Sequence, residues 1–157
     1  MTQEQKLTSL LNSEVACLQM LLATLNSEFD ALTNSDIETL EQITQNKNNA
    51  LAKQAEATLA RQHFVDVTPH ENTDKGLQQL IVGYKNQNSL SATIGQLRSL
   101  AEQCQNINRT NGRLILQKQQ HTRNALDILR QADSSPSIYS VQGGTITGSE
   151  SRSLGKA

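Results

Sequence analysis

Three histidines, His63, His70 and His121, and two cysteines, Cys17 and Cys104, are the side chains of this 157-residue chain best suited to hold a metal or activate a nucleophile. Their spacing supports neither role. There is no Cys-x-x-Cys pair and no Cys/His cluster, which excludes the usual structural zinc site. A carboxylate-bridged di-metal bundle needs Glu three residues before His, and no Glu here stands there. His70 beside Glu71 reads as a solvated loop pair, and His121 sits among Gln119, Gln120 and Thr122. No phosphate-cradling glycine loop occurs, since Gly143–Gly144 follows Ser-rich sequence rather than a strand. Nothing holds Ser, His and Asp together in a rigid pocket. The expectation is a protein that is not an enzyme and uses no metal or cofactor.

The elements that would position any other kind of site are helices. From residue 89 to 131 apolar side chains recur at Leu90, Ile94, Leu97, Ala101, Cys104, Ile107, Leu114, Ala125 and Ile128, with no proline. That spacing predicts one helix of about 43 residues, about 64 Å long at 1.5 Å per residue. Such a helix needs another segment to cover its apolar face, because most helical stability comes from packing. Leu7, Leu11, Val15, Leu18, Leu22, Leu25, Phe29 and Leu32 step by three or four, close to the 3.5 repeat of a coiled-coil seam. They predict a first helix over about 2–32.

Residues 33–36 interrupt that helix, and Ser35 with Glu38 fits a capping box for a second helix over about 36–62. The short break favours an antiparallel hairpin over one bent helix. Lys47 interrupts the thinner second stripe. Residues 63–74 read as a loop, with Pro69 barring continuation, followed by a short helix over about 74–82. Ser89 is a candidate cap for the long helix. After 132 the chain turns rich in Ser and Gly, a composition too poor in apolar side chains to offset chain entropy. The organisation expected is a helical bundle over 1–132 and a flexible tail over 133–157. Its fold class is all-α, an elongated, coiled-coil-like antiparallel bundle.

Composition agrees, because aromatics are only 3% and Trp is absent, which suits thin helix-on-helix layers of Leu, Ile and Ala. Net charge is −1, which suggests neither a nucleic-acid nor a membrane-surface partner. Charge is unevenly spread. Residues 1–74 carry 11 acidic and 4 basic side chains, whereas 89–131 carry Arg98, Arg109, Arg113, Lys118, Arg123 and Arg130 against Glu102 and Asp127. The simplest reading is an acidic amino-terminal region packed on a basic long helix. The amino terminus lacks the basic start and cleavage site of a signal peptide, and no apolar run approaches a membrane span. A reduced, cytoplasmic setting follows, with both thiols free and buried.

Helix lengths point to where function lies. At 1.5 Å per residue the first two helices span about 46 and about 40 Å, which leaves part of the long helix uncovered. Its end carries a broad apolar surface, and an uncovered amphipathic end is a site for a partner's helix. Gly95 and Gly112 within the long helix either permit close approach of a neighbour or mark a weak point, and Gly112 is a candidate for where the cover ends.

The segment Asn108, Arg109, Thr110, Asn111, Gly112, then Ala125, Leu126, Ile128, Leu129, then Tyr139, Gly143 and Thr145 resembles the carboxy-terminal signature of the FlgN family, flagellar type III export chaperones. The resemblance implies a cytoplasmic helical protein, a monomer or weak dimer. Its partners would be the amphipathic terminal helices of hook-associated (hook–filament junction) proteins and the cytoplasmic domain of the export gate. It implies no nucleic acid and no membrane insertion. Carried over by position, Leu114, Ile115, Ala125, Leu126, Ile128 and Leu129 would be the client platform, and Tyr139 with Gly143 the gate contact. Ser140 stands where the family pattern has Gly. The alternative is a structural coiled-coil protein that self-associates.

Overall fold

Helix α1, Gln3–Asn34, starts at a reciprocal capping box. The Gln5 amide donates to Thr2 Oγ1 at 3.2 Å, and the Thr2 amide donates to Gln5 Oε1 at 2.9 Å. In this computed structural model, which describes residues 1–134, three more helices follow: α2 (Ile37–Asp66), α3 (Asp74–Ile81) and α4 (Gln87–Ser134). The described residues are helical apart from short turns, with no strand among them. They form two units, Met1–Gln120 and a second that begins at His121, and each is treated by itself below.

In the first unit the direction of each helix can be read from its polar ties. Lys47 of α2 reaches Glu28, while Thr58 and Arg61 of α2 reach Glu14, so residue numbers fall along α2 as they rise along α1. α1 and α2 are therefore an antiparallel hairpin. The α4 ties run the other way: Cys104 meets Leu18, Asn111 meets Leu25, and Lys118 meets Ser35. α4 is thus parallel to α1 and opposed to α2, an up–down–up arrangement. The base is closed by α3, whose Leu77, Leu80 and Ile81 pack with Leu7, Leu11, Phe64, Val65, Leu90 and Ile94. Further up, Val15, Leu18, Leu21, Leu25 and Ala50 enclose Leu100 and Cys104.

The buried face of α1 differs from the stripe expected of its apolar residues. The buried side chains are Leu7, Leu11, Glu14, Leu18, Leu21, Leu25, Glu28 and Leu32, with Val15 and Ala31 alongside. These first eight step by four and three in strict alternation, so two glutamates occupy seam positions. Leu22 and Phe29 are half-buried beside the seam rather than in it. Glu14 and Glu28 are only 2% and 4% exposed. A buried carboxylate must be paired and hydrogen-bonded to be tolerated, and the cations that pair with them come from α2.

The helix ends also differ from expectation. Ser35 is the left-handed C-cap of α1 (φ 56°, ψ 34°), and the N-cap of α2 is Asp36, whose side chain accepts from the Thr39 amide. Hydrogen bonds from the Thr39 hydroxyl and then its amide hold the Asp36 carboxyl below the usual carboxylate range. A depressed carboxyl stabilises the fold above its unfolded pKa and loses that contribution as pH falls. The start of α2 is therefore expected to fray first in acid, measurable as faster amide exchange near Thr39. α2 runs on to Asp66, beyond the expected end near 62, because Phe64 and Val65 are core residues, and α4 starts at Gln87 rather than behind a Ser89 cap.

Two glycines behave oppositely. A Cβ on Gly76 would lie 1.9 Å from the Glu71 carbonyl oxygen, a backbone atom that cannot simply swing aside. Gly76→Ala is expected to destabilise by roughly 1–3 kcal/mol in denaturant unfolding, as overpacking does. A Cβ on Gly95 meets nothing within 4 Å, and the same holds for Gly112. Close approach of a neighbouring helix is therefore not why either is glycine. Gly95→Ala is expected to stabilise α4 by about 1 kcal/mol, a gain readable as a higher unfolding midpoint.

Candidate protein-docking surface

Where α4 is held and where it is bare decides what it can bind. Within the first unit its cover is polar as well as apolar. The Cys104 thiol donates to the Leu18 carbonyl at 3.6 Å, and burial pushes its pKa up, which makes it a poor nucleophile. Cys17 is half-buried, not buried as expected, and neither cysteine forms a disulfide. Asn111 donates through Nδ2 to the Leu25 carbonyl at 2.9 Å and to Glu28 Oε2 at 2.7 Å. Glu28 also accepts from Lys47 Nζ at 3.0 and 3.1 Å, so one carboxylate ties three helices together. A second junction joins α1 and α2, where Glu14 accepts from Arg61 Nε at 2.6 Å and from the Thr58 hydroxyl at 2.8 Å.

These ties revise the charge expectation. The acidic hairpin is matched at its buried positions by its own Lys47 and Arg61 rather than by α4. The ion pair that α4 makes with 1–74 among the described residues is Arg98 with Asp74, at 2.8 Å and exposed. Arg109 and Arg113, one turn apart, are exposed and make no hydrogen bond or ion pair among the described residues. Lys118 Nζ donates to Ser35 Oγ at 2.7 Å, at the hairpin turn where α1 ends.

The expected platform residues divide at this level. Leu114 and Ile115 are half-buried in the first unit, and Leu116 is 67% exposed. In the second unit, residues 121–134 are helical and all exposed, Ala125 included. Leu126 is 49% exposed, Ile128 66% and Leu129 62%. An exposed cluster of large aliphatic side chains within two turns of helix marks an interaction surface more often than scattered single leucines do. Tyr139 and Gly143 lie outside the described residues.

One open groove is lined by Glu4, Gln5, Thr8, Ser9, Asn12 and Asn86. No group of three or more His, Cys, Asp or Glu that could hold a metal ion occurs among the described residues, and no described helix is long and apolar enough to cross a membrane. Sequence reading missed Glu14 and Glu28 as seam residues, although Leu7, Glu14, Leu21 and Glu28 stand seven apart. Asn111 belongs to the family-like motif, and the structure makes it a buried tie between α4 and α1.

The described residues are thus all-helical, a helix bundle in the first unit and an exposed apolar helix face in the second. Residues 1–146 match the family model described as FlgN protein. The chain belongs to the FlgN family, the flagellar export chaperones. It is also similar to a solved structure from Pseudomonas aeruginosa described as a flagella synthesis protein FlgN, with 25% identity and a TM-score of 0.66 over 78% of this chain and 94% of that one. No curated protein matches the sequence significantly.

Proposed function

We propose that this chain binds the amphipathic terminal helices of hook–filament junction (hook-associated) proteins in the cytoplasm, prevents their premature assembly, and delivers them to the export gate. The observation that carries this reading is the exposure of Leu126, Ile128 and Leu129 on one short stretch of α4. A helix laid against that face would remove from water the apolar area the chain itself leaves open. Ala125, Leu126, Ile128 and Leu129 of the second unit are the proposed client contacts, and Leu114 and Ile115 of the first unit are proposed as client contacts on family resemblance. Tyr139 and Gly143 are the proposed gate contact, on family resemblance. Binding without chemistry suits the role, since the client must leave again for export.

The test is titration of the full chain with a synthetic terminal-helix peptide of a hook–filament junction protein. Saturable one-to-one binding is expected, and no binding at peptide concentrations approaching 1 mM would overturn the reading, since that bounds the affinity near −4 kcal/mol. The competing reading, self-association through the same face, rests on the same exposed leucines. Sedimentation across a concentration series separates the two: a stable dimer that peptide cannot dissociate would favour self-association.

A further inference from the structure

The charge beside the apolar face says what kind of helix fits it. Residues 121–134 carry Arg123, Leu126 and Arg130 at successive steps of three and four, so both arginines border the Leu126 side of the apolar arc. The opposite border, beyond Ile128, is Asn124 and Gln131, which are uncharged. Arg123 and Arg130 are exposed, and neither guanidinium makes a hydrogen bond or ion pair among the described residues. Asp127 and Asp133 stand within one turn of them on the same helix, yet no ion pair joins them to either arginine. The result is an apolar strip that ends at Asp133, with one edge carrying two arginines and Asp127 between them, a net positive charge, and the other edge uncharged.

We infer that the docking partner is an amphipathic helix carrying Glu or Asp along one edge of its apolar face, the edge that comes to lie beside Arg123 and Arg130. This rests on the docking reading above and deepens it. Guanidinium groups pair with carboxylates through two parallel hydrogen bonds, so such an edge fixes the orientation of the incoming helix as well as attracting it. A second copy of this chain is a poor occupant in the antiparallel sense, because that pairing sets arginine edge against arginine edge. Charged edges act mainly on orientation, partner choice and rate of encounter, while the leucines supply the adhesion.

Two designed helical peptides with the same apolar face, one bearing Glu and the other Lys at the flanking positions, serve as probes for the full-length chain. The Glu-edged peptide is expected to bind on the order of tenfold tighter at low salt, and the preference to shrink as salt is raised. Arg123→Glu with Arg130→Glu, both surface changes, is expected to reverse the preference. Equal binding of the two peptides, with loss of both on Leu126→Asp, would overturn the charge inference and leave the docking reading standing. A preference that survives the double charge reversal would also overturn it. Binding of neither peptide would overturn both.

Discussion

Arg61→Met is expected to destabilise the bundle by about 3 kcal/mol or more, the cost of stranding a buried carboxylate. Glu14 is 2% exposed and sits at a seam position of α1, with its charge met by Arg61 Nε at 2.6 Å. Removing the guanidinium leaves the Thr58 hydroxyl as its remaining partner in the structure. One neutral hydrogen bond, worth about 1 kcal/mol net, cannot replace a charged pair. Methionine keeps much of the alkyl volume, so the loss measures charge rather than a cavity. Glu14→Met combined with Arg61→Met is expected to recover most of the stability or exceed it, because burying two apolar chains avoids desolvating two ions. Urea unfolding of the two variants decides the matter. A single variant within about 0.5 kcal/mol of the parent would show that Glu14 is reached by water and that the seam assignment is wrong.

Leu126→Asp combined with Leu129→Asp is expected to weaken binding of a client terminal helix by on the order of a hundredfold, since two central apolar anchors are replaced by charges that resist desolvation. Both side chains are already exposed, so stability should stay within about 0.5 kcal/mol of the parent. That contrast is what makes the variant informative. A structural role for the pair would lower the unfolding midpoint along with binding, whereas a docking role moves affinity alone. Parent-level affinity in the double variant would refute the platform.

Glu28 shows how the two junctions divide the work. Glu14 ties α1 to α2 only, while Glu28 joins α1, α2 and α4 through Lys47 and Asn111. Buried polar groups of this kind discriminate between registers, because a slip by one turn would leave each carboxylate unpaired. Asn111 thereby sets how far along the hairpin α4 is held, and with it the stretch of α4 over which cover from the hairpin ends.

Much of the local structure was legible in the residues. The break after Leu32 and the absence of proline through 89–131 mark helix limits to within a few residues, and the short helix expected over about 74–82 is α3, capped by Thr73. These depend on hydrogen bonds and propensities between near neighbours, which the sequence displays directly. The stripe of α1 is less apolar than its leucines suggest, because counting apolar residues passes over a glutamate whose partner lies 47 positions away. The loop expected after 62 failed for a related cause: Phe64 and Val65 stay helical because Leu7, Leu11 and Ile81 are there to bury them.

The long helix draws the same line. Its repeat puts Leu114, Ala125 and Ile128 on one apolar stripe. Periodicity reports which side chains point the same way, and that is a property of one helix. Whether such a face is covered depends on where distant segments stop, and on which acids have already found their cations within the hairpin. Only the packed chain decided that Leu114 and Ile115 are half-covered while Ile128 and Leu129 are bare, because burial is settled by contacts between residues far apart in sequence.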